Sequence, residues 1–244
     1  MITVLSFGNN LLKFNNYVID ATSAPEPVFP TDMDFIYQAK DFDGTKIINK
    51  APNSTFGDYL KYGTLTLHGS GSSAYLTNGF SDYNYLYKDL SSSELDKFKA
   101  INTTYTYFVR VMQDTNDVGG VISFRNNTGT LYIYMLRTNN KQLQIHTDTG
   151  YDCGSDFSLT TDRVYKVIVN GSSFKAINLD NNAEYSLTYS TNRGMGNQML
   201  SFTAYKGAHD EAKLSRFYAI AGIPRATTAI EDALIKQALM NQSA

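Results

Sequence analysis

The chain has 244 residues and a formal net charge of −2 at pH 7, without the basic runs that binding to nucleic acid or an anionic membrane would require. Its single cysteine, Cys153, excludes an intrachain disulfide. The 18 tyrosines and 14 phenylalanines favour strands over helices, and an all-β chain of this length can form one domain.

The first 20 residues predict a separate β-hairpin. Short apolar runs at 2–7 and 10–19 are separated at Gly8 and Asn9, which favour a tight turn. A two-stranded hairpin is only marginally stable by itself, so we expect residues 1–24 to bind a partner protein. The segment lacks the features of a secretion signal, and no run in the chain is long enough to cross a bilayer.

A proline-rich linker is predicted at 21–31. Pro25, Pro27 and Pro30 lie there, and proline cannot donate the backbone hydrogen bond that a sheet requires. The linker therefore separates the hairpin from a main domain at 32–244.

The main domain shows many short strands divided by turns rich in asparagine and glycine. The run 105–112 alternates, which sends Tyr105, Tyr107, Val109 and Val111 to one face. We expect the next three strands to continue from it as a meander. The further predicted strands are 121–125, 131–137, 142–146, 164–169, 174–179, 184–189, 199–205 and 214–221. Strands at such short intervals indicate an antiparallel sandwich.

The C-terminal residues predict the helix of the domain, at 228–241. Thr228 and Glu231 have the spacing of a capping box, in which each side chain accepts a hydrogen bond from the other residue's backbone. Apolar residues then recur at helical spacing, at Ile230, Leu234, Ile235, Ala238 and Leu239. We expect this apolar stripe to pack on the sandwich.

Several segments, taken in order, carry a family resemblance. They are 34–39 (Asp-Phe-Ile-Tyr-Gln-Ala), 74–77 (Ala-Tyr-Leu-Thr) after a glycine-rich turn, 164–176, 214–224 and the helical tail. Over 32–242 this order resembles the concanavalin A-like lectin/laminin-G superfamily. The resemblance implies an all-β, two-sheet antiparallel jelly roll with a short C-terminal helix. That scaffold hosts lectins, glycosidases and structural modules, so the function must be argued from the site.

The N-terminal segment and linker resemble the attachment arms of fibre and decoration proteins of tailed phages. The composition, rich in Asn, Tyr, Lys and Ile, is similar to that of phages of gut Bacteroidetes. This second resemblance implies a location on the virion surface, contact with other virion proteins through residues 1–24, and a homo-oligomer.

No pattern in the sequence indicates catalysis. A retaining glycosidase of this fold presents paired carboxylates, commonly as Glu-x-Asp-x-(x)-Glu, and the sequence lacks that run. Glu94 and Asp96 form the nearest acidic cluster and predict a capped helical turn on the surface. His146 and His209 have no second histidine at ligand spacing, and Cys153 has no neighbouring base. We predict a protein that is not an enzyme and that needs no cofactor.

A structural calcium ion would be the one exception to the absence of a cofactor. Asp114, Asn116 and Asp117 lie close together, and calcium prefers such oxygen ligands. The same residue types also form ordinary hairpin turns, so both interpretations stay open.

The second face of the middle strands carries aromatic and basic residues. On this face, rings could stack on sugars while arginines donate hydrogen bonds. The predicted glycan-binding residues are Phe108, Arg110, Phe124, Tyr132, Tyr134 and Arg137. The alternative is that another sheet, the terminal helix or a neighbouring subunit covers this face.

These observations lead to three functional hypotheses. The first is a non-catalytic virion appendage or decoration protein whose sandwich adheres to surface glycans, including host glycans. The second is a purely structural virion subunit. The third, a glycoside hydrolase of the same fold, is disfavoured by the missing carboxylate pair.

Overall fold

The computed structural model describes residues 29–81, 83–99, 104–125, 135–146, 150–170, 173–188, 197–202 and 214–242. Within them the chain forms sixteen strands and two α-helices. The strands are β1 (Phe35–Gln38), β2 (Lys46–Ile47), β3 (Tyr59–Tyr62), β4 (Thr66–His68), β5 (Tyr75–Thr77), β6 (Tyr85–Asp89), β7 (Thr104–Met112), β8 (Gly119–Arg125), β9 (Met135–Asn139), β10 (Gln142–His146), β11 (Gly150–Asp152), β12 (Arg163–Asn170), β13 (Ser173–Asn178), β14 (Glu184–Thr188), β15 (Gln198–Phe202) and β16 (Arg216–Ile223). The helices are α1 (Ser92–Lys99) and α2 (Ala229–Asn241). The predicted hairpin at 1–20 and most of the linker at 21–31 lie outside the described residues, so both stay predictions.

The strands form two antiparallel sheets. The first sheet has the order β14-β13-β12-β7-β16-β5-β4, with β1 also paired to β16. The second sheet has the order β11-β10-β9-β8-β15-β6-β3-β2. This arrangement confirms the predicted two-sheet sandwich with a short C-terminal helix.

The main core lies between the sheets. Tyr105, Tyr107, Val109 and Val111 all belong to it, as the alternation of β7 predicts. Opposite them the second sheet contributes residues such as Phe124, which is fully buried. Each large side chain buried in this way stabilises the fold by roughly 1.5 to 3 kcal/mol.

The predicted meander is only partly correct. Strands β8, β9, β10 and β11 follow one another in the second sheet. Strand β7, however, pairs with β12 and β16 in the first sheet. The chain therefore crosses between the sheets after β7. Local alternation did not reveal the crossing, because it shows that a strand has a buried face without showing which strand lies beside it.

Helix α2 covers part of the outer face of the first sheet. Its capping box is confirmed, since the backbone N–H of Glu231 donates to Thr228 Oγ1 (3.3 Å) and that of Thr228 donates to Glu231 Oε2 (2.8 Å). Ile235, Ala238 and Leu239 are buried against the sheet. They form a second apolar cluster with Phe29, Met33, Ile36, Phe108, Val164, Ala219, Ala221 and Ile223.

Helix α1 is longer and more deeply packed than the predicted surface turn. Its Phe98 ring lies 4.7 Å from the ring of Tyr105 and 4.8 Å from that of Phe124, so the helix docks on the end of the core. Glu94 is buried and pairs with Lys88 at 3.1 Å, which corrects the expectation of a surface position. A buried carboxylate requires such a partner.

Candidate functional site

The predicted glycan-binding residues do not share one face. Phe108 is fully buried beneath α2, which corresponds to the alternative that the terminal helix covers this face. Phe124 lies between the sheets, with its ring 4.8 Å from that of Phe98. Arg137 lies on β9 of the other sheet, where its Nε donates to Gln144 Oε1. Tyr132 and Tyr134 lie outside the described residues, so their part in binding stays a prediction.

Arg110 holds the C-terminal end of α2. Its Nη1 donates to the carbonyl oxygens of Leu239 (2.9 Å), Met240 (3.0 Å) and Ser72 (3.0 Å). Its Nε and Nη2 bind the two carboxylate oxygens of Asp162, at 2.8 and 2.5 Å. The last carbonyls of a helix lack partners within the helix and carry partial negative charge, so a buried guanidinium satisfies them. These bonds give Arg110 a structural role.

Beyond the end of α2, the same outer face carries three rings side by side, which we call the aromatic row: His68, Tyr75 and Tyr218. His68 and Tyr75 are direct partners on β4 and β5, and their rings stack at 4.9 Å and 15°. The ring of Tyr218 on β16 lies 5.5 Å from that of Tyr75. On its other side, the guanidinium carbon of Arg110 lies 4.5 Å from the Tyr218 ring centroid.

Strand alternation orients this row away from the core. Leu76 and Phe217 are buried partners in the core between the sheets, so their neighbours Tyr75 and Tyr218 point to the outer side. Helix α2 does not extend over them, because it ends with Gln242 in a left-handed conformation. The side-chain amide of Gln242 donates to the carbonyl oxygens of Ser72 (3.2 Å) and Ala74 (2.6 Å), which fixes the helix end beside the row.

Arg216 brings a positive charge to the row. Its guanidinium carbon lies 5.1 Å from the ring centroid of Tyr75, and its Nη2 donates to Asp114 Oδ2 at 3.1 Å. Its hydrogen bond with Tyr218 and the charge of Asp114 raise the pKa of Arg216. Burial raises the pKa of Tyr218. Both groups therefore keep their protons at neutral pH and can donate hydrogen bonds.

The row is open to ligands to different degrees along its length. His68 and Tyr75 are half-buried, whereas Tyr218 is buried. The side chains of Arg216 and Asp114 are 33% and 44% exposed. A guanidinium has five N–H donors, and the partners of Arg216 among the described residues are Asp114 and Tyr218, so donors remain for a ligand. The site thus combines ring surface, a cationic donor and a carboxylate acceptor.

The predicted calcium loop contributes Asp114 to this site. Within the loop, Gln113 Nε2 donates to Thr115 Oγ1 (3.0 Å) and to the backbone carbonyl of Asp117 (3.1 Å), as in an ordinary turn. The Asn116 carbonyl accepts a hydrogen bond from the Asn140 backbone. Over the described ranges, no group of three His, Cys, Asp or Glu side chains is placed to hold a metal. Calcium binding by Asp114, Asn116 and Asp117 stays a prediction.

Cys153 is not placed for nucleophilic chemistry. Its side chain is buried, and burial raises the pKa of the thiol to about 12. A thiol with that pKa stays protonated at neutral pH, and the thiolate is the nucleophilic form.

Sequence reasoning missed His68, Tyr75, Arg216 and Tyr218. The pattern identified a strand at 214–221, whereas 74–77 served only as a segment of the family resemblance. The missing information was the pairing of β5 with β16, two strands far apart in the chain. An alternating pattern does not name its partner strand, so the convergence of these side chains appears only in the folded sheet.

No protein-family model matches the sequence, and no curated protein matches it either. Solved structures do resemble the fold. The binding domain of botulinum neurotoxin serotype C1 aligns with a TM-score of 0.58 at 9% identity, covering 85% of this chain and 52% of that one. The receptor-binding domain of the C/D mosaic serotype aligns with a TM-score of 0.57 at 8% identity, covering 84% of this chain and 51% of that one. Trypanosoma rangeli sialidase in complex with sialic acid aligns with a TM-score of 0.59 at 10% identity, covering 93% of this chain and 35% of that one.

The shared feature is the β-sandwich. At such low identity the likeness concerns the fold alone, and the chain spans about half the length of the neurotoxin domains. No helix in the described part of the chain is long and apolar enough to span a membrane.

Proposed function

We propose that this protein is a non-catalytic glycan-binding module and that the aromatic row is its binding surface. One observation carries the proposal. The stacked, partly exposed rings of His68 and Tyr75 lie beside the Arg216–Asp114 ion pair. Sugar-binding sites combine ring faces with a few placed polar groups, and this surface offers both.

The proposed binding mode follows from the geometry. The apolar side of a pyranose would pack on the exposed ring surface of Tyr75 and His68. Arg216 would donate hydrogen bonds to ring hydroxyls or to a sugar carboxylate, and Asp114 would accept from hydroxyls. Paired strands hold the site, because His68 and Tyr75 are direct partners across β4 and β5, and β5 pairs in turn with β16, which carries Tyr218. A rigid site loses little conformational freedom when a ligand binds.

The structural neighbours support this choice without deciding it. One sialidase structure is a complex with sialic acid. Another neighbour is a structure of botulinum neurotoxin type C, whose cell entry depends upon interaction with two ganglioside molecules. Both ligands are carbohydrates or carry them, and both proteins have the sandwich fold. Asp114 and Asp162 are each paired with an arginine that packs on a ring of the row, an arrangement that favours binding over acid–base catalysis.

A glycan array carrying neutral and sialylated glycans tests the proposal. We expect Tyr75→Ala to weaken binding about tenfold, since stacking contributes on the order of 1 kcal/mol and one polar contact is disturbed as well. Arg216→Gln should weaken the binding of acidic glycans more than the binding of neutral ones. Lys175→Ala is the matched control, because Lys175 forms an exposed ion pair with Glu184 at the far edge of the same sheet.

Two results would count against the proposal. One is the absence of binding to any glycan on the array by protein whose cooperative thermal unfolding shows that it is folded. The other is equal binding by wild type, Tyr75→Ala and Lys175→Ala. Release of reducing sugar from a polysaccharide panel would instead favour the glycoside hydrolase and would remove the non-catalytic part of the proposal.

A place on a virion is a separate proposal. It rests on the resemblance of residues 1–31, of which the structure describes only the last three. Attachment through residues 1–24, location on the virion surface, homo-oligomerisation and the purely structural alternative stay predictions. Light scattering with and without residues 1–30 tests whether the segment drives assembly.

A further inference from the structure

Helix α2 is apolar on its outward side as well as on its buried side. Ile230 is 60% exposed and Leu234 is 38% exposed, and the two lie one turn apart on the same side of the helix. Ala229, Ala233 and Gln237 are exposed beside them. A surface helix usually carries charged or polar residues on the side that faces solvent. We call Ile230 and Leu234 the apolar ridge.

The charged residues of α2 lie on its flanks, and each of them is paired within the chain. The pairs are Glu231–Arg225 (2.7 Å), Asp232–Lys166 (2.7 Å) and Lys236–Asp180 (2.5 Å). The apolar ridge is therefore an uncharged surface between charges that are already neutralised. Two such surfaces can approach each other without strong charge repulsion. The equal number of cations and carboxylates in these pairs offers no net charge to attract an anionic membrane.

A groove runs beside the apolar ridge, between α2 and the end of β13. Helix α2 packs over β7 and β12, and the sheet continues beyond it to β13 and β14. Ala176 is buried between the sheets, so its neighbour Ile177 points to the outer side, where it lines the groove. Ala229, Ala233 and Met240 line the groove from the helix. Its volume of about 520 Å³ can accommodate several aliphatic side chains.

The ridge and the groove lie side by side, which makes this surface complementary to itself. A two-fold axis would place the ridge of each copy in the groove of the other, because each copy carries both. Ala229 and Ala233 are small, so they leave room for the ridge of a second helix to pack between turns of α2. The same axis, perpendicular to α2, sets the two helices antiparallel. The positive N-terminal end of each helix then lies beside the negative C-terminal end of the other.

The size of this surface predicts a weak dimer. Helix α2 has 13 residues, which gives it a length of about 20 Å. Helix and groove together are about 20 Å wide, so a dimer would bury on the order of 1,000 Å² in total. Interfaces of this size lie at the low end of the specific range and are typically transient. We therefore expect a dissociation constant in the micromolar range.

We propose that the apolar ridge and the groove beside it form a two-fold interface whose occupant is a second copy of this chain. The interface shares no residue with the aromatic row and does not depend on glycan binding. It is also distinct from assembly through residues 1–24, because it uses only α2 and the end of β13 with the turn that follows.

Sedimentation equilibrium of the full chain, from about 1 to about 200 µM, tests the proposal. We expect the wild type to be a reversible mixture of monomer and dimer. Ile230→Glu and Leu234→Lys each place a charge on the ridge, inside an apolar interface, so each should raise the dissociation constant at least about tenfold. Leu60→Glu is the matched control, because Leu60 is also 38% exposed but lies on β3 of the other sheet. It should dimerise as the wild type does.

The ridge variants should fold normally, since both residues are exposed. Position 230 lies in the first turn of α2, where the helix end favours a negative charge. Position 234 follows Glu231 by three residues, a spacing that favours a lysine. The melting temperature should therefore stay within a few degrees of that of wild type. Ala233→Gln fills the groove without adding a charge and should weaken the dimer as well.

Three results would overturn the proposal. A wild type that stays monomeric over the whole concentration range lacks the interface. Self-association that persists in Ile230→Glu, Leu234→Lys and Ala233→Gln is formed by another surface, such as residues 1–24. An equal loss in Leu60→Glu would show that a charge anywhere on the surface prevents association. Each of these results leaves glycan binding by the aromatic row untouched, because the array measures it separately.

Discussion

The outer face of the first sheet meets two different surroundings. Towards β12 it lies beneath α2, and Phe108 is fully buried there. Towards β4 the helix has ended, and His68 and Tyr75 remain partly exposed. Arg110 stands at the boundary, binding the last carbonyls of α2 while its guanidinium packs on Tyr218. Coverage by the helix, more than residue type, decides which aromatic side chain belongs to the core and which can meet a ligand.

The largest expected effect is a difference in stability between variants in the covered half and in the open half of this outer face. Phe108→Ala should lower the free energy of unfolding by about 3 to 5 kcal/mol, because it leaves a cavity beneath α2. Tyr75→Ala, in the open half, should cost about 1 kcal/mol or less. Urea unfolding of both variants measures the difference. Similar losses would contradict the division of this face into a covered and an open half.

The boundary itself can be tested at Arg110. Arg110→Met should lower the free energy of unfolding by roughly 2 to 4 kcal/mol, since it leaves Asp162 and the helix carbonyls without their partner. Backbone amides in the last turn of α2 should then exchange hydrogen faster. Lys175→Ala, which removes an exposed ion pair, is the control and should cost less than about 1 kcal/mol. Unchanged exchange in the last turn would show that the guanidinium does not hold the helix end.

A smaller effect is expected at the start of α2. Glu231 binds Arg225 at 2.7 Å, and that hydrogen bond lowers the pKa of Glu231 to about 2 from an ordinary value of 4.5. A lowered pKa means that the carboxylate stabilises the fold fully above pH 4.5 and loses this effect as the pH falls towards 2. Glu231→Gln should therefore lower the free energy of unfolding by on the order of 1 kcal/mol at pH 7. Its free energy of unfolding should then fall less steeply than that of wild type as the pH is lowered.

The measurement for Glu231 is the free energy of unfolding between pH 7 and pH 2. Glu184→Gln, which alters an exposed ion pair instead of the capping box, is the matched control. Parallel pH curves for wild type and Glu231→Gln would mean that the Glu231 carboxylate, with its bonds to Arg225 and Thr228, does not contribute to acid stability.

Much of the architecture could be predicted from the sequence. The alternation of β7 placed Tyr107 and Val109 on one face, which the structure shows to be the core face, and the Thr228–Glu231 spacing located the start of α2. Such signals are local, because a strand or a capping box is defined by residues close together in the chain. Glu94 was misplaced on the surface for the complementary reason: its burial depends on Lys88 and on the docking of α1.

The candidate site could not be predicted in this way. Phe108 and Phe124 look alike in the sequence, since each sits at an alternate position of an apolar strand. Their strands belong to different sheets, so one ring lies beneath α2 and the other between the sheets. The pattern showed that both faces of the middle strands are apolar, and it did not show what packs on each.

The sequence by itself determined most strands from β7 onward, the C-terminal helix with its cap, and the all-β sandwich, because alternation, turn residues and capping act over a few neighbouring positions. Only the tertiary structure decided that β5 and β16 lie side by side, that α2 ends beside them and that Arg216 reaches Tyr75. Those contacts join residues more than a hundred positions apart. They depend on how the sheets pair and on where the helix packs, which no local pattern encodes.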